Sequence, residues 1–499
     1  MAVFDPSGLT PDSLVSLGLW TLGSAVVSSL IFCIYNLWLH PLSKFPGPKI
    51  AAIAPFWAMR HWLSGDNLWR IKELHQRYGP VVRISPNQLS FCSSASWKDI
   101  HGHKPGSAHH KTFLKGSFYE PFPEDLHQIV SESDPGRHAA MRKSLSHGFS
   151  ASALGSQEDR VQYFVNLLIT QIGRRYTRAP GDMSKWYNYA TFDVIGELAF
   201  GESHYWIDIL FASIKNMNFM RSFEYSPFLR SILRAALDMK LLPARVYALR
   251  AKMNNYASEK LTQRLTSPPT RVDFLQRMIS ERKEWTGLEF EKLRSQAILL
   301  TVAGSETTAT ALSGITYYLC RNPRVYSKLT TEIRTAFTDY DQITGRATEV
   351  NLPYLKAVID EGLRLYPPIA AGLPRISPGE TVDGWYVPKG TIVSVNPWVA
   401  GHIEMNFHDP FDFIPERWLD PECKDDRAAS QPFLLGSRVC LGRHLALLEL
   451  RLILAKILWS FDMELQDDDL DWDQANKNYV FWEKPALPIL FKRARDITQ

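Results

Sequence analysis

Phe433-Leu434-Leu435-Gly436-Ser437-Arg438-Val439-Cys440-Leu441-Gly442 stands just before a last helical pattern, Leu441 to Phe461, and its reading decides the rest of the chain. A free cysteine is usually a small buried hydrophobe. Cys440, however, falls at a loop-to-helix junction, where unpaired backbone N–H groups and the positive end of the helix dipole favour thiolate over thiol. Gly436 and Gly442 permit a tight turn and a close backbone approach to a flat ligand. Arg438, two residues ahead of the cysteine, can reach an anionic group on that ligand.

A thiolate, a close-approach loop and a guanidinium together meet the needs of a haem with an axial sulfur and two propionates. The pattern Phe-x-x-Gly-x-Arg-x-Cys-x-Gly resembles the haem-binding loop of the cytochrome P450 superfamily at every fixed position. The resemblance implies Cys440 as iron ligand, Phe433 and Arg438 as cofactor contacts, and haem b (iron protoporphyrin IX) as the cofactor. It also implies a mainly α fold with small β-sheets, the helix-rich triangular prism of that superfamily.

Other segments are similar to the family's pattern. Glu361-Gly362-Leu363-Arg364 looks like its Glu-x-x-Arg helix, the two side chains sharing a face at a spacing of three; alone, such a pair reads as a surface ion pair. Pro415-Glu416-Arg417-Trp418 is similar to its Pro-Glu-Arg-Phe segment with Trp in the last place, and the resemblance implies that Arg417 joins Glu361 and Arg364 in a buried network. Ala303-Gly304-Ser305-Glu306-Thr307-Thr308 matches the oxygen-binding stretch, in which an acid precedes an alcohol. Reducing dioxygen consumes protons in a pocket that excludes water, so Glu306 and Thr307 are the expected catalytic pair. Thr308 stays open as a helper, Gly304 is expected to let the helix open, and the bland alternative is a back-bonded Thr in a core helix. Arg142, in His138-Ala139-Ala140-Met141-Arg142, and Arg375, in Leu373-Pro374-Arg375, are implied propionate partners. His138 stands where Trp is commonest in the family and keeps a ring nitrogen able to donate.

Upstream, Ser13 to Leu39 carries no charge, long enough for a helix to cross ~30 Å of hydrocarbon. Asp5 and Asp12 precede it and Lys44 and Lys49 follow, so residues 1–12 are expected in the lumen and the body in the cytosol. A cleaved signal peptide is the alternative, opposed by the missing basic n-region and small-x-small site. Phe45-Pro46-Gly47-Pro48 ends the helix, giving an anchor over 13–39, a hinge over 40–50 and a catalytic domain over 51–499. Ala297 to Leu319 is apolar enough to raise a second span, but Glu306 in its middle favours a buried core helix.

The remaining pattern is mostly helical. Short strands are predicted on either side of Ser85-Pro86-Asn87 within Val81 to Phe91, and in Thr381 to Val395, bent at Asp383-Gly384 and Lys389-Gly390. Gln157 to Leu312, Arg324 to Phe337 and Tyr354 to Leu365 have helical periodicity, and the last helix reads as amphipathic. Lys+Arg 56 against Asp+Glu 52 leaves too even a balance for a nucleic-acid surface. Five cysteines in no C-x-x-C pair exclude a disulfide framework and a structural zinc.

The resemblance covers nearly the whole chain. It is nearest in wording to fungal microsomal members of secondary metabolism such as trichothecene hydroxylases, through Leu145-Ser146-His147-Gly148-Phe149-Ser150 and Leu452-Ile453-Leu454-Ala455-Lys456. It implies a monooxygenase of the endoplasmic reticulum membrane using O2 and an NADPH-cytochrome P450 reductase, with Lys143 and Arg443 as docking cations. A thiolate-haem isomerase or dehydratase and a non-enzymatic haem sensor are the competing readings. It further implies substrate walls at Gly102–Phe122, Phe211–Ala244, Ile369–Leu373 and Phe481-Trp482. The small residues Ala370, Ala371 and Gly372 suggest room for a bulky lipophilic terpenoid or polyketide.

Overall fold

The computed structural model describes residues 11–104, 111–120, 125–200, 213, 217–266, 274–275, 279, 287–467 and 469–495. Its axis is one helix, Gly287–Arg321, of 35 residues, about 50 Å long at 1.5 Å per residue. Small residues let neighbours come close to it. A Cβ on Gly304 would lie 2.7 Å from the Ile195 side chain, and one on Gly314 would lie 2.5 Å from Tyr366. Helix Met183–Phe200 packs there: Thr191 Oγ1 donates to the Ser305 carbonyl at 2.9 Å, and Tyr187 and Thr316 share a hydrogen bond of 2.8 Å.

The axial helix's own hydroxyls are satisfied by the preceding turn, as in Thr301 to Ala297 (3.0 Å), Ser305 to Thr301 (2.8 Å) and Ser313 to Ala309 (2.7 Å). A Ser/Thr-rich helix therefore buries at little cost. It runs through the protein interior and is not a second membrane span.

The last long helix, Arg443–Ser460, departs from the expected amphipathic pattern. Every residue from Leu448 to Ser460 except Arg451 is buried, Glu449 and Lys456 included. Lys456 Nζ is satisfied by Asn166 Oδ1 at 2.7 Å and lies over the Tyr340 ring. Burial pushes the Glu449 carboxyl well above the usual range.

Val81–Ser85 and Gln88–Phe91 form an antiparallel hairpin turning at Pro86-Asn87. The region Thr381–Val395 divides between two sheets. Glu380–Val382 and Trp385–Val387 pair alone across Asp383-Gly384, both in the left-handed region, whereas Ile392–Val395 pairs parallel to Gln88–Phe91. Arg375–Ile376 closes the edge of that four-stranded sheet. A second sheet joins Gly181–Asp182, Pro488–Arg493 and Phe461–Leu465, folding the C-terminal segment back under the axial helix.

At the front, helix Pro11–Ile34 continues into a π-helical turn, Tyr35–Leu39. Gly18–Leu39 is the one helix among the described residues long and apolar enough to cross a membrane, and little of it is buried. The hinge is pinned to the first hairpin: the Arg83 N–H donates to the Pro46 carbonyl at 2.7 Å, and a Cβ on Gly47 would fall 2.4 Å from the Arg83 carbonyl oxygen.

Candidate active site

The Phe433–Gly442 loop is strained where it turns. Leu434 and Gly436 have φ of 61° and 70°. A Cβ on Gly436 would come within 2.1 Å of the His101 carbonyl oxygen, so glycine is demanded twice there, by conformation and by close approach. The Cys440 N–H closes the loop on the Phe433 carbonyl at 2.8 Å, and the following helix begins at Arg443 with Gly442 as its N-cap. Phe433 is half-buried against the core, with the Arg443 guanidinium 5.7 Å from its ring centroid.

Burial raises the Cys440 thiol above its ordinary value, outweighing the Gly442 N–H, Arg142 and Arg443, which act the other way. The helix end alone therefore does not make the thiolate, contrary to the sequence expectation; a metal ion at the sulfur would, since coordination deprotonates a thiol outright. Cys440 is nevertheless exposed in the free chain.

Beside the loop lies a cluster of cations drawn from four parts of the chain. Arg438 donates to the carbonyls of Glu132 (2.8 Å) and Ser133 (2.9 Å). Arg142, on helix Pro135–Ser146, donates to the Val439 carbonyl at 2.7 Å. Arg375 is buried at the sheet edge, its Nη1 unpartnered among the described residues. Lys115, which the sequence reading missed, is buried and donates to the Ile129 carbonyl at 2.9 Å.

These charges repel one another. Burial first, then Arg438 and Arg375, bring Lys115 down to about 6. Burial followed by Arg438, Lys115, Arg142 and Arg375 brings His138 down to about 3, and burial and Arg375 hold Arg438 at about 10. Glu132, the carboxylate opposing Lys115, is already taken by Arg137 at 3.0 Å. Two further buried atoms, His101 Nε2 and Tyr119 OH, have no partner among the described residues, and both groups feel the Arg375 charge. Concentrated positive charge with orphaned donors calls for an anion of more than one charge, and the two carboxylates of a haem fit it.

On the axial helix, Ala303 is exposed and Thr307 half-buried, whereas Ser305, Glu306 and Thr308 are buried. The helix is continuous there, so Gly304 accommodates Ile195 and does not open the helix. Thr307 Oγ1 donates to the Ala303 carbonyl at 2.6 Å. Glu306 faces elsewhere: its Oε1 accepts from Lys484 Nζ and from Thr310 Oγ1 (3.1 Å), Lys484 Nζ also lies 2.7 Å from Thr310 Oγ1, and Oε2 is buried without a partner. Among the described residues no hydrogen bond joins Glu306 to Thr307.

Behind the loop, Glu361 organises a buried network rather than a surface pair. Arg364 donates to both of its oxygens at 2.8 Å, and Arg417 Nε to Oε1 at 3.0 Å, with all three side chains at 0% exposure. Trp418 Nε1 adds a bond to Oε2 at 2.9 Å, which a phenylalanine there cannot make. The remaining Arg364 donors reach the carbonyls of Gly401, Pro410 and Asp412.

The expected substrate walls are placed only in part. Residues 105–110, 121–122, 211–212 and 214–216 lie outside the described residues. Trp482 is locked in the core, stacked on Tyr366 and donating to the Pro367 carbonyl at 2.8 Å. Gly372 is small because the sheet is close: a Cβ would lie 2.7 Å from the Val395 carbonyl oxygen. Ala370 and Ala371 are buried.

A helix-rich body carrying a cysteine loop, a cluster of buried and half-buried cations and a buried acid on its axial helix has the make-up of a haem-thiolate enzyme. Residues 48–491 match the family model for cytochrome P450. The chain is 39% identical over 485 residues to cytochrome P450 monooxygenase ORF9 of Penicillium roqueforti (strain FM164), covering 93% of each chain. It is 39% identical over 468 residues to cytochrome P450 monooxygenase BOT4 of Botryotinia fuckeliana, covering 91% of this chain and 87% of that protein. To cytochrome P450 monooxygenase astA of Talaromyces wortmannii it is 40% identical over 495 residues, covering 96% and 97%. The chain belongs to the cytochrome P450 family. It is a haem-thiolate monooxygenase.

Proposed function

We propose that this enzyme hydroxylates or otherwise oxidises a lipophilic small molecule of fungal secondary metabolism, a terpenoid or polyketide, using O2 and electrons from an NADPH-cytochrome P450 reductase. Cys440 Sγ would hold the iron of haem b as its thiolate ligand. Arg142, Arg375 and Arg438, with His138 as a neutral donor and Lys115 beside them, would hold its carboxylates, and Phe433 would pack against it. Bound haem supplies the oxygen chemistry, the thiolate donating electron density that favours O–O cleavage.

The observation that carries the reading is the carboxylate of Glu306, buried on the axial helix and paired with Lys484 and Thr310. A buried acid in an apolar helix costs free energy unless paired, and a reaction that consumes protons away from bulk water gives it a use. Glu306 keeps an ionisable group buried one residue from Thr307, whose Oγ1 is held on the Ala303 carbonyl. A peroxide isomerase or dehydratase has no need of such a relay.

Lipophilic substrate and membrane contact are supported by the exposed apolar residues of helix Pro227–Asp238 and its flanks, Phe228, Ile232, Met239 and Leu241. Together with the helix spanning Gly18–Leu39 they fit a body held against the endoplasmic reticulum membrane, residues 1–12 in the lumen, 13–39 spanning, 40–50 as hinge and 51–499 in the cytosol. Lys143 and Arg443 are exposed and available to an acidic reductase face.

The test supplies the full-length holoprotein with reductase, NADPH and a panel of terpenoids, polyketides and hydrophilic compounds under labelled dioxygen. Label in a lipophilic product, dependent on NADPH, is expected. Turnover of hydroperoxides without NADPH, and none with it, overturns the reading.

A further inference from the structure

We infer that the cleft between the end of the anchor helix and the proline hinge binds the phosphate of an anionic phospholipid, with Arg83 as its buried cation and Lys49 at its rim. This rests on the membrane-anchored reading above. The cleft has a volume of about 270 Å³ and is lined by Leu37 and Trp38 from the anchor, Ser43 and Lys49 from the hinge, and Tyr78 and Arg83 from the body. Set against the ~30 Å³ share of one water in the liquid, it has room for a phosphate and the first atoms of its glycerol.

Arg83 is the reason to expect an anion. Its side chain leaves the first hairpin and is 2% exposed. Its guanidinium donates to the Asn36 carbonyl (2.7 Å), Asn36 Oδ1 (3.2 Å) and the Pro86 carbonyl (2.7 Å), all of them neutral, and its Nε is buried without a partner among the described residues. Burial draws its pKa down to about 10 with no carboxylate opposing the shift. A buried guanidinium that has neutral acceptors and no counter-ion is electrically incomplete.

Among the described residues no carboxylate is paired with Arg83. From Ser13 to Gly65 there is no Asp or Glu, whereas Lys44, Lys49 and Arg60 all fall in that stretch. The wall formed by Leu37 and Trp38 belongs to the last turns of the anchor, which places the cleft at the depth of lipid headgroups, where basic juxtamembrane residues meet anionic lipid. The hydrogen bonds from Arg83 to Asn36 tie this cleft to the anchor's exit angle, so an occupying phosphate would also fix how the body leans on the membrane.

The experiment uses the full-length holoprotein in detergent micelles doped with phosphatidylserine, counting retained lipid by native mass spectrometry. One phosphatidylserine per chain is expected. Its affinity should fall about fivefold or more in Lys49→Gln and in Arg83→Gln, the effect of ~1 kcal/mol per basic group, and stay unchanged in Arg60→Gln, whose cation lies outside the cleft. Lys49→Gln alone decides if Arg83→Gln does not fold. No retained lipid, an equal fall in Arg60→Gln, or displacement of the lipid by inorganic phosphate at equal concentration overturns the inference. Flotation with pure phosphatidylcholine vesicles tests the anchor separately: a chain that floats there but shows no retained phosphatidylserine keeps its anchor and loses this site.

Discussion

Lys484, at the start of the C-terminal segment, is ion-paired with Glu306 in the middle of the axial helix, and both side chains are almost wholly buried. Lys484 thus closes the acid's Oε1 side while Oε2 stays without a partner. Removing one member of a buried pair leaves an uncompensated charge, costing about 3–5 kcal/mol. Lys484→Met is expected to lose that much in urea unfolding. Glu306→Gln combined with Lys484→Met should lose clearly less than the sum of the two single changes. An additive double mutant would show that the pair is not coupled.

Trp418 stands where the family more often has Phe, and its indole N–H donates to Glu361 Oε2 at 2.9 Å. A hydrogen bond to a buried carboxylate contributes about 1.5–3 kcal/mol. Trp418→Phe should lower unfolding stability by that amount while leaving the haem spectrum unchanged, because the network lies behind the loop and not at the iron.

The cation cluster makes the haem-free protein sensitive to pH. His138 and Lys115 have folded-state values depressed to about 3 and about 6, against about 6.5 and 10.4 in an unfolded chain. The unfolded chain then binds more protons, so stability rises with pH: Lys115 dominates between about 6 and 10, His138 between about 3 and 6.5. Apoprotein unfolded by urea at pH 5, 6, 7 and 8 should be more stable at each step upward. The holoprotein should show a shallower trend, since bound carboxylates neutralise the cluster. Equal slopes would remove the cluster from the cofactor's site.

Gly304 leaves room for Ile195 against the axial helix: a Cβ there would lie 2.7 Å from the Ile195 side chain. Overpacking a filled crossing costs typically ~1–3 kcal/mol, and Gly304→Ala should lose that in thermal unfolding. Adding Ile195→Val, which trims the opposing side chain, should restore part of it. No recovery would mean the glycine serves something other than this contact.

Much of the site was legible because its parts are short local patterns. The Cys440 loop and Glu361 with Arg364 each fall within ten residues, and a spacing of three puts the latter two on one face; Glu306 and Thr307 are adjacent, and their partners lie in different directions. Lys115 and Lys484 were not legible. Lys484 reaches Glu306 across 178 residues, and nothing in the periodicity near either residue marks the pairing. Lys115 lies in an irregular segment between the bridge at Leu114 and the short helical turn Ser117–Tyr119, and only burial beside Arg375 and Arg438 distinguishes it from a solvated lysine. The amphipathic reading of the last helix failed for a related reason: its polar residues, Glu449 and Lys456, are buried, so polarity did not mark the solvent side.

The bond between Cys440 Sγ and haem iron is tested most directly by the absorption spectrum of the reduced, carbon-monoxide-treated protein. The strongly red-shifted Soret band of thiolate ligation is expected in the wild type and absent from Cys440→Ser that still binds haem and keeps its circular dichroism. A folded but colourless wild-type protein, or the same band after Cys440→Ser, would contradict it.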